Sequence, residues 1–150
     1  MQAMIDKIAG QCIAECIAVR LRTLNRVITN IYDNALRPLD LKVSQMNILV
    51  AAATMGTARP LEVCEYLQLG VSTLSRNVDR MKARGWVEVV PDKDGRAQPF
   101  RLTAQGHKLL EDAVPAWREA QQQVKNVLEN GFVEQLNQTM KRVSNGGAAS

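Results

Sequence analysis

The sequence predicts a mainly α-helical chain in which long terminal helices bracket a three-helix unit and one β-hairpin. Three observations predict this. Apolar residues recur at three- and four-residue spacing near both ends. Between them, short periodic segments are punctuated by Pro38, Gly56, Pro60 and Gly70. One strand–turn–strand pattern follows Trp86 and turns at Asp94-Gly95, a strong hairpin pair.

The elements follow in order. Residues 9–36 read as one long helix, with Ile13, Ile17, Leu21, Leu24, Ile28, Ile31 and Ala35 on a stripe and Pro38 ending it. Val43-Ser44-Gln45 starts a second helix with Ser44 as its N-cap. Met46, Leu49, Val50 and Ala53 form its apolar side, and Gly56 stops it. Pro60 opens a third, whose inward residues are Leu61, Val63 or Cys64, and Leu67. Gly70 turns the chain into a fourth helix running to about Arg84. There Leu74, Val78 and Met81 face inward, and Ser72, Thr73, Arg76, Asn77 and Arg80 lie outside or at the margins.

Gly85 is a helix stop. Trp86, Val87, Val89 and Val90 favour a strand, and Pro99-Phe100-Arg101-Leu102 returns as an edge strand. Thr103 caps the next long helix, Gly106 is tolerated in its first turns, and Pro115 kinks it or removes a hydrogen bond. Gly131 separates a last helix over about 132–144, with Phe132, Leu136, Met140 and Val143 aligned. Residues 146–150 read as a flexible tail.

Composition narrows the function classes. The 150 residues are 46% hydrophobic, which argues against disorder. The formal net charge is +4, and residues 71–101 carry seven basic against four acidic side chains. A local positive excess suits a polyanion. No apolar run approaches a membrane span and no signal-like start is present, so a cytoplasmic protein without a membrane partner is expected. Cys12, Cys16 and Cys64 make no disulfide framework, and with His107 they lack the usual zinc spacing. No cofactor or metal ligand set is expected. The absence of a phosphate loop, a paired-carboxylate framework or a Cys–His arrangement argues against an enzyme.

The central segment has the most distinctive chemistry. Residues 60–84 suit a supporting helix packed across a reading helix. Small hydroxyls and Arg76 on the outer face can enter a major groove, where arginine can bind guanine bidentately. Arg80, Lys82 and Arg84 are phosphate candidates, and the hairpin presents Lys93 and Arg96 to an adjacent minor groove. Lys42 suits either phosphate or solvent.

From residue 9 to 144 the chain resembles the MarR family of bacterial winged-helix repressors. The resemblance is carried by Leu41-Lys-Val-Ser-Gln45, Ser72-Thr-Leu-Ser-Arg76-Asn-Val-Asp-Arg-Met81, Arg84-Gly-Trp86, Asp94-Gly-Arg96 and Leu102-Thr-Ala-Gln-Gly106. It implies a winged helix-turn-helix with N- and C-terminal helices forming a dimerisation domain. The divisions are then 1–40, an N-terminal dimerisation helix; 41–103, the winged helix; and 104–145, C-terminal dimerisation helices. It also implies a homodimer on double-stranded operator DNA, repressing transcription until a ligand or oxidant changes lobe spacing. By position, Ser72, Thr73, Ser75 and Arg76 resemble recognition contacts, Arg96 the wing-tip arginine, and Asp94 its bracing partner. Gly70 departs from the family, where many relatives carry an acidic or polar cap.

For sensing, Arg20, Arg22, Arg26, Tyr32 and Trp117 offer charge and aromatic surface suited to a small aromatic or anionic effector. Cys12 and Cys16 offer a redox alternative, set against buried cysteines that act as small hydrophobes. Non-specific architectural DNA binding and a protein–protein adaptor remain as further readings.

Overall fold

The computed structural model describes residues 1–93 and 95–146. Asp94 and residues 147–150 of the expected tail therefore lie outside the described residues, while Gly146 closes the last helix. The chain runs α1 (Gln2–Glu15), α2 (Ile17–Leu36), a 3-10 turn (Arg37–Leu39), α3 (Val43–Met55), α4 (Pro60–Leu67), α5 (Val71–Ala83), β1 (Val87–Val89), β2 (Phe100–Leu102) and α6 (Ala104–Gly146). The architecture is the expected one, mainly α with a small hairpin.

The single N-terminal helix expected over 9–36 is instead two. Cys16 is extended at φ −65°, ψ 112°, although its N–H still donates to the Cys12 carbonyl at 3.0 Å. Arg20 donates a guanidinium bond to the Ala14 carbonyl, one of those left open at the end of α1. No proline or glycine marks this break. Its physical context is that α1 buries no residue, so no packed face holds it in line with α2.

The core sits where α2, α3, α5, the hairpin and the first half of α6 meet. Leu36, Ile48, Leu49, Leu74, Met81 and Phe100 are fully enclosed there, each burial stabilising by about 1.5–3 kcal/mol. The strands pair antiparallel, Val87 with Leu102, Glu88 with Arg101 and Val89 with Phe100. Ala58 bridges to β2 from the side away from β1, exchanging N–H···O bonds of 2.8 and 3.0 Å with Phe100.

One helix cap differs from expectation and another matches it. Ser44 lies inside the first turn of α3, not at its cap. The N–H of Val43 donates to Asp33 Oδ1 of α2 at 2.8 Å, and the N–H of Lys42 to Gln45 Oε1 at 3.1 Å. A carboxylate at a helix N-terminus suits the helix dipole, and it came from ten residues upstream. Thr103 caps α6 as expected, accepting the Gly106 N–H at 3.1 Å. Gly106 is more than tolerated: an added Cβ would lie 2.0 Å from the Trp86 carbonyl oxygen. α6 continues through Pro115 and is interrupted at Glu129, at φ 57°, two residues before Gly131.

Candidate nucleic-acid interface

The α5 helix is amphipathic by design of its spacing. Leu74 and Met81 are buried and Val78 half-buried, which fixes the helix on the core. That anchoring leaves Ser72, Thr73, Ser75, Arg76 and Arg80 exposed, as their positions predict. No acidic residue occupies the first turn, while Arg80 and Lys82 lie in the last, where cations oppose the helix dipole favourably. Gly70 caps α5 in extended conformation without a side-chain bond. The Nε of Arg76 donates to the Ser72 carbonyl at 3.2 Å, and Asn77 Nδ2 to the Thr73 carbonyl at 2.9 Å. Arg76 is thus laid back along the helix.

The hairpin stands beside α5 across an open cavity of about 610 Å³. Its floor is Leu74, Val78 and Phe100; Ser75 and Asp79 form the α5 wall, and Arg96, Ala97 and Gln98 the hairpin wall. Ser75 therefore shares a groove with Arg96 rather than lying on the crest with Ser72 and Thr73. Lys93 and Arg96 are both exposed. Leu61, expected inward, is 72% exposed on the rim of the same groove. The correction has a simple origin: α4 is eight residues long, and Val63 and Cys64 already fill its inner face.

Arg84 does not stand free as a phosphate candidate. Its guanidinium lies 4.3 Å from the centroid of the Trp86 ring, and its Nη1 donates to Asp40 Oδ2 at 2.5 Å. It ties the end of α5 to the turn after α2. The bracing role expected of Asp94 falls outside the described residues. Asp92, which the sequence did not single out, receives a bond from Arg59 Nη1 at 3.4 Å. Lys42 is exposed at the start of α3.

The five effector candidates are not gathered into one site, and Arg22 is exposed. Arg20 is turned to the Ala14 carbonyl and Arg26 is exposed. Tyr32 donates its hydroxyl to Gln121 across the α2–α6 seam, and burial raises its pKa above the ordinary value of 10.0. Trp117 is half-buried against the core. None of the five lines the α5–hairpin groove or the smaller cleft beside Asp33 and Lys42. Cys12 is exposed, Cys16 half-buried at the helix break, and Cys64 buried. Among the described residues, no three or more His, Cys, Asp or Glu side chains gather to hold a metal, and no helix is long and apolar enough to cross a membrane.

Residues 39–97, from the turn after α2 to the hairpin wall, match the MarR family model. Over that segment the chain is similar to the MarR family. Its likeness to the multiple antibiotic resistance protein MarR of Salmonella typhimurium is 29% identity over 89 residues, 59% of this chain and 62% of that protein. The chain thus spans about three fifths of the length of the curated MarR relatives it matches first. In structure the likeness is wider. The Mycobacterium tuberculosis transcriptional regulator MOSR, solved in complex with DNA, superposes with a TM-score of 0.77 at 28% identity, over 90% of this chain and 98% of that one. A mutant MarR of Escherichia coli, complexed with operator DNA, also gives 0.77, at 22% identity over 88% and 96% of the two chains. The structural likeness therefore reaches well beyond the segment matched by the family model.

Proposed function

We propose that this chain is a MarR-like, sequence-specific DNA-binding transcriptional regulator, acting as a homodimeric repressor that a small effector releases from its operator. The observation that carries the reading is the shared orientation of α5 and the hairpin. Ser72, Thr73, Arg76 and Arg80 are exposed on α5, and Ser75 of the same helix lines an open groove that Arg96 of the hairpin lines from the other side. That arrangement suits a helix in a major groove and an arginine in the neighbouring minor groove. The MOSR and MarR likenesses, both to chains solved with DNA, support it. Self-association is supported by apolar residues left uncovered on α1 and at the end of α6, among them Met4, Ile5, Ile8, Phe132, Leu136 and Met140. Dimer helices that carry two readers would set the half-site spacing.

The test is selection of genomic fragments by the purified full chain, followed by affinity measurement at fixed salt. A specific duplex should be enriched. Arg76→Ala and Arg96→Ala should each weaken it by about 1–3 kcal/mol. If both variants keep wild-type affinity and sequence preference, the reading fails. Repeating the selection with small aromatic carboxylates tests the effector, for which Arg20, Arg26, Tyr32 and Trp117 remain the proposed residues. A second reading, release by oxidation, is favoured by the position of Cys16 at the helix break with Cys12 exposed one turn before it. Peroxide that leaves operator affinity unchanged in the wild type eliminates it.

A further inference from the structure

We propose that Arg59 and Asp92 are a positioning pair that sets the angle of the wing against α5, and with it the fit of Arg96 to DNA. The inference rests on the DNA-reading function proposed above and concerns how the wing is aimed.

The outer wing has little to hold it. Each strand has three residues, and the ladder extends past Val89–Phe100 only by the Val90 N–H, which donates to the Pro99 carbonyl at 2.7 Å. A two-stranded hairpin of this size is marginal without support. Its base is supported, because Phe100 is buried and bridged to Ala58. Further out, the hairpin faces the groove of about 610 Å³ instead of a packed wall. Among the described residues, Arg59–Asp92 is the side-chain polar contact that joins the outer wing to another element.

Both partners are suited to that task. Arg59 directly follows the Ala58 bridge and precedes Pro60, which restricts its backbone to the extended form it shows. Its carbonyl also accepts the Val63 N–H at 3.0 Å, so the side chain springs from a fixed point. The side chain of Asp92 is only 17% exposed, against 52% for Arg59. A largely sheltered carboxylate gains more from a cation than one in open water.

The signs of two effects separate positioning from simple charge. A partly exposed ion pair adds little to global stability. Removing the negative charge of Asp92 near a polyanion should tighten binding if charge alone matters. It should weaken binding if the carboxylate aims the wing.

The test uses the full chain, the duplex enriched by selection, and anisotropy titration at one salt concentration. Asp92→Asn should weaken binding about five-fold, and Asp92→Glu should restore most of it. In an Arg96→Ala background, Asp92→Asn should add almost nothing, because the wing contact it aims is already gone. Thermal melting should be unchanged. Tighter or equal binding by Asp92→Asn, a full additive loss on top of Arg96→Ala, or a matching drop in melting temperature overturns the inference. If the wild type enriches no duplex, DNA reading itself fails and takes the inference with it. If the wild type binds and Arg96→Ala weakens it while Asp92→Asn does not, only the positioning role fails.

Discussion

The winged lobe and the two chain ends are built from similar apolar periodicity and reach opposite outcomes. In the lobe, Leu36, Ile48, Leu49 and Phe100 are wholly enclosed. At the ends, Ile13 is 69% exposed and Met140 52%. The lobe's stripes face one another across α3, α5, the hairpin and α6. Those of α1 and the end of α6 are left without cover among the described residues. Helical spacing therefore identifies an apolar face but not what covers it. The faces left open in one chain are the basis of the homodimer proposed above.

The contrast breaks if the lobe is not self-contained. Its most sensitive point is Phe100, buried and bridged to Ala58. Phe100→Ala should lower the unfolding free energy by about 3–5 kcal/mol in a urea titration. A loss under 1 kcal/mol, a range typical of surface changes, would mean that the lobe does not depend on this junction. Gly106→Ala comes next. Its Cβ would press on the Trp86 carbonyl, so backbone must shift, and about 1–3 kcal/mol should be lost. Wild-type melting of this variant would show that α6 can pull away from Trp86 freely.

The smallest effect on the lobe should come from the ends. Leu136→Asp with Met140→Asp should convert the sedimenting species from dimer to monomer. The lobe's own stability should change by less than about 0.5 kcal/mol. Emission from Trp86, read in a Trp117→Phe background, should keep its buried, blue-shifted position. A red shift to the unfolded value would show that the lobe needs its partner to fold, and the contrast between the regions would collapse.

The elements legible in the sequence were those decided by neighbours along the chain. Leu74, Val78 and Met81 placed α5, Gly85 ended it, and Thr103 capped α6. Gly85 takes φ 74°, where a side chain would be strained. What stayed hidden was decided across space. Asp33 caps α3 from another helix, and Arg84 leaves the phosphate set because Trp86 and Asp40 claim it. Gly106 read as a weak helix residue, while its real constraint is the carbonyl above it. The break at Cys16 carried no proline or glycine signal. At the candidate interface, the outward residues of α5 followed from helical geometry alone. The groove beside them, and the Arg59–Asp92 contact across a gap of 33 residues, required the fold.

One hydroxyl has a mechanical consequence. Thr103 Oγ1 donates to the Gly85 carbonyl at 2.5 Å and accepts from the Gly106 N–H at 3.1 Å. It joins the foot of α5 to the head of α6, with Gly106 pressed against Trp86 beside it. Such a junction transmits torque instead of absorbing it. A tilt imposed on the distant part of α6 would turn α5 as one body with it, so any compliance in the arm belongs further out, where Glu129 interrupts the helix.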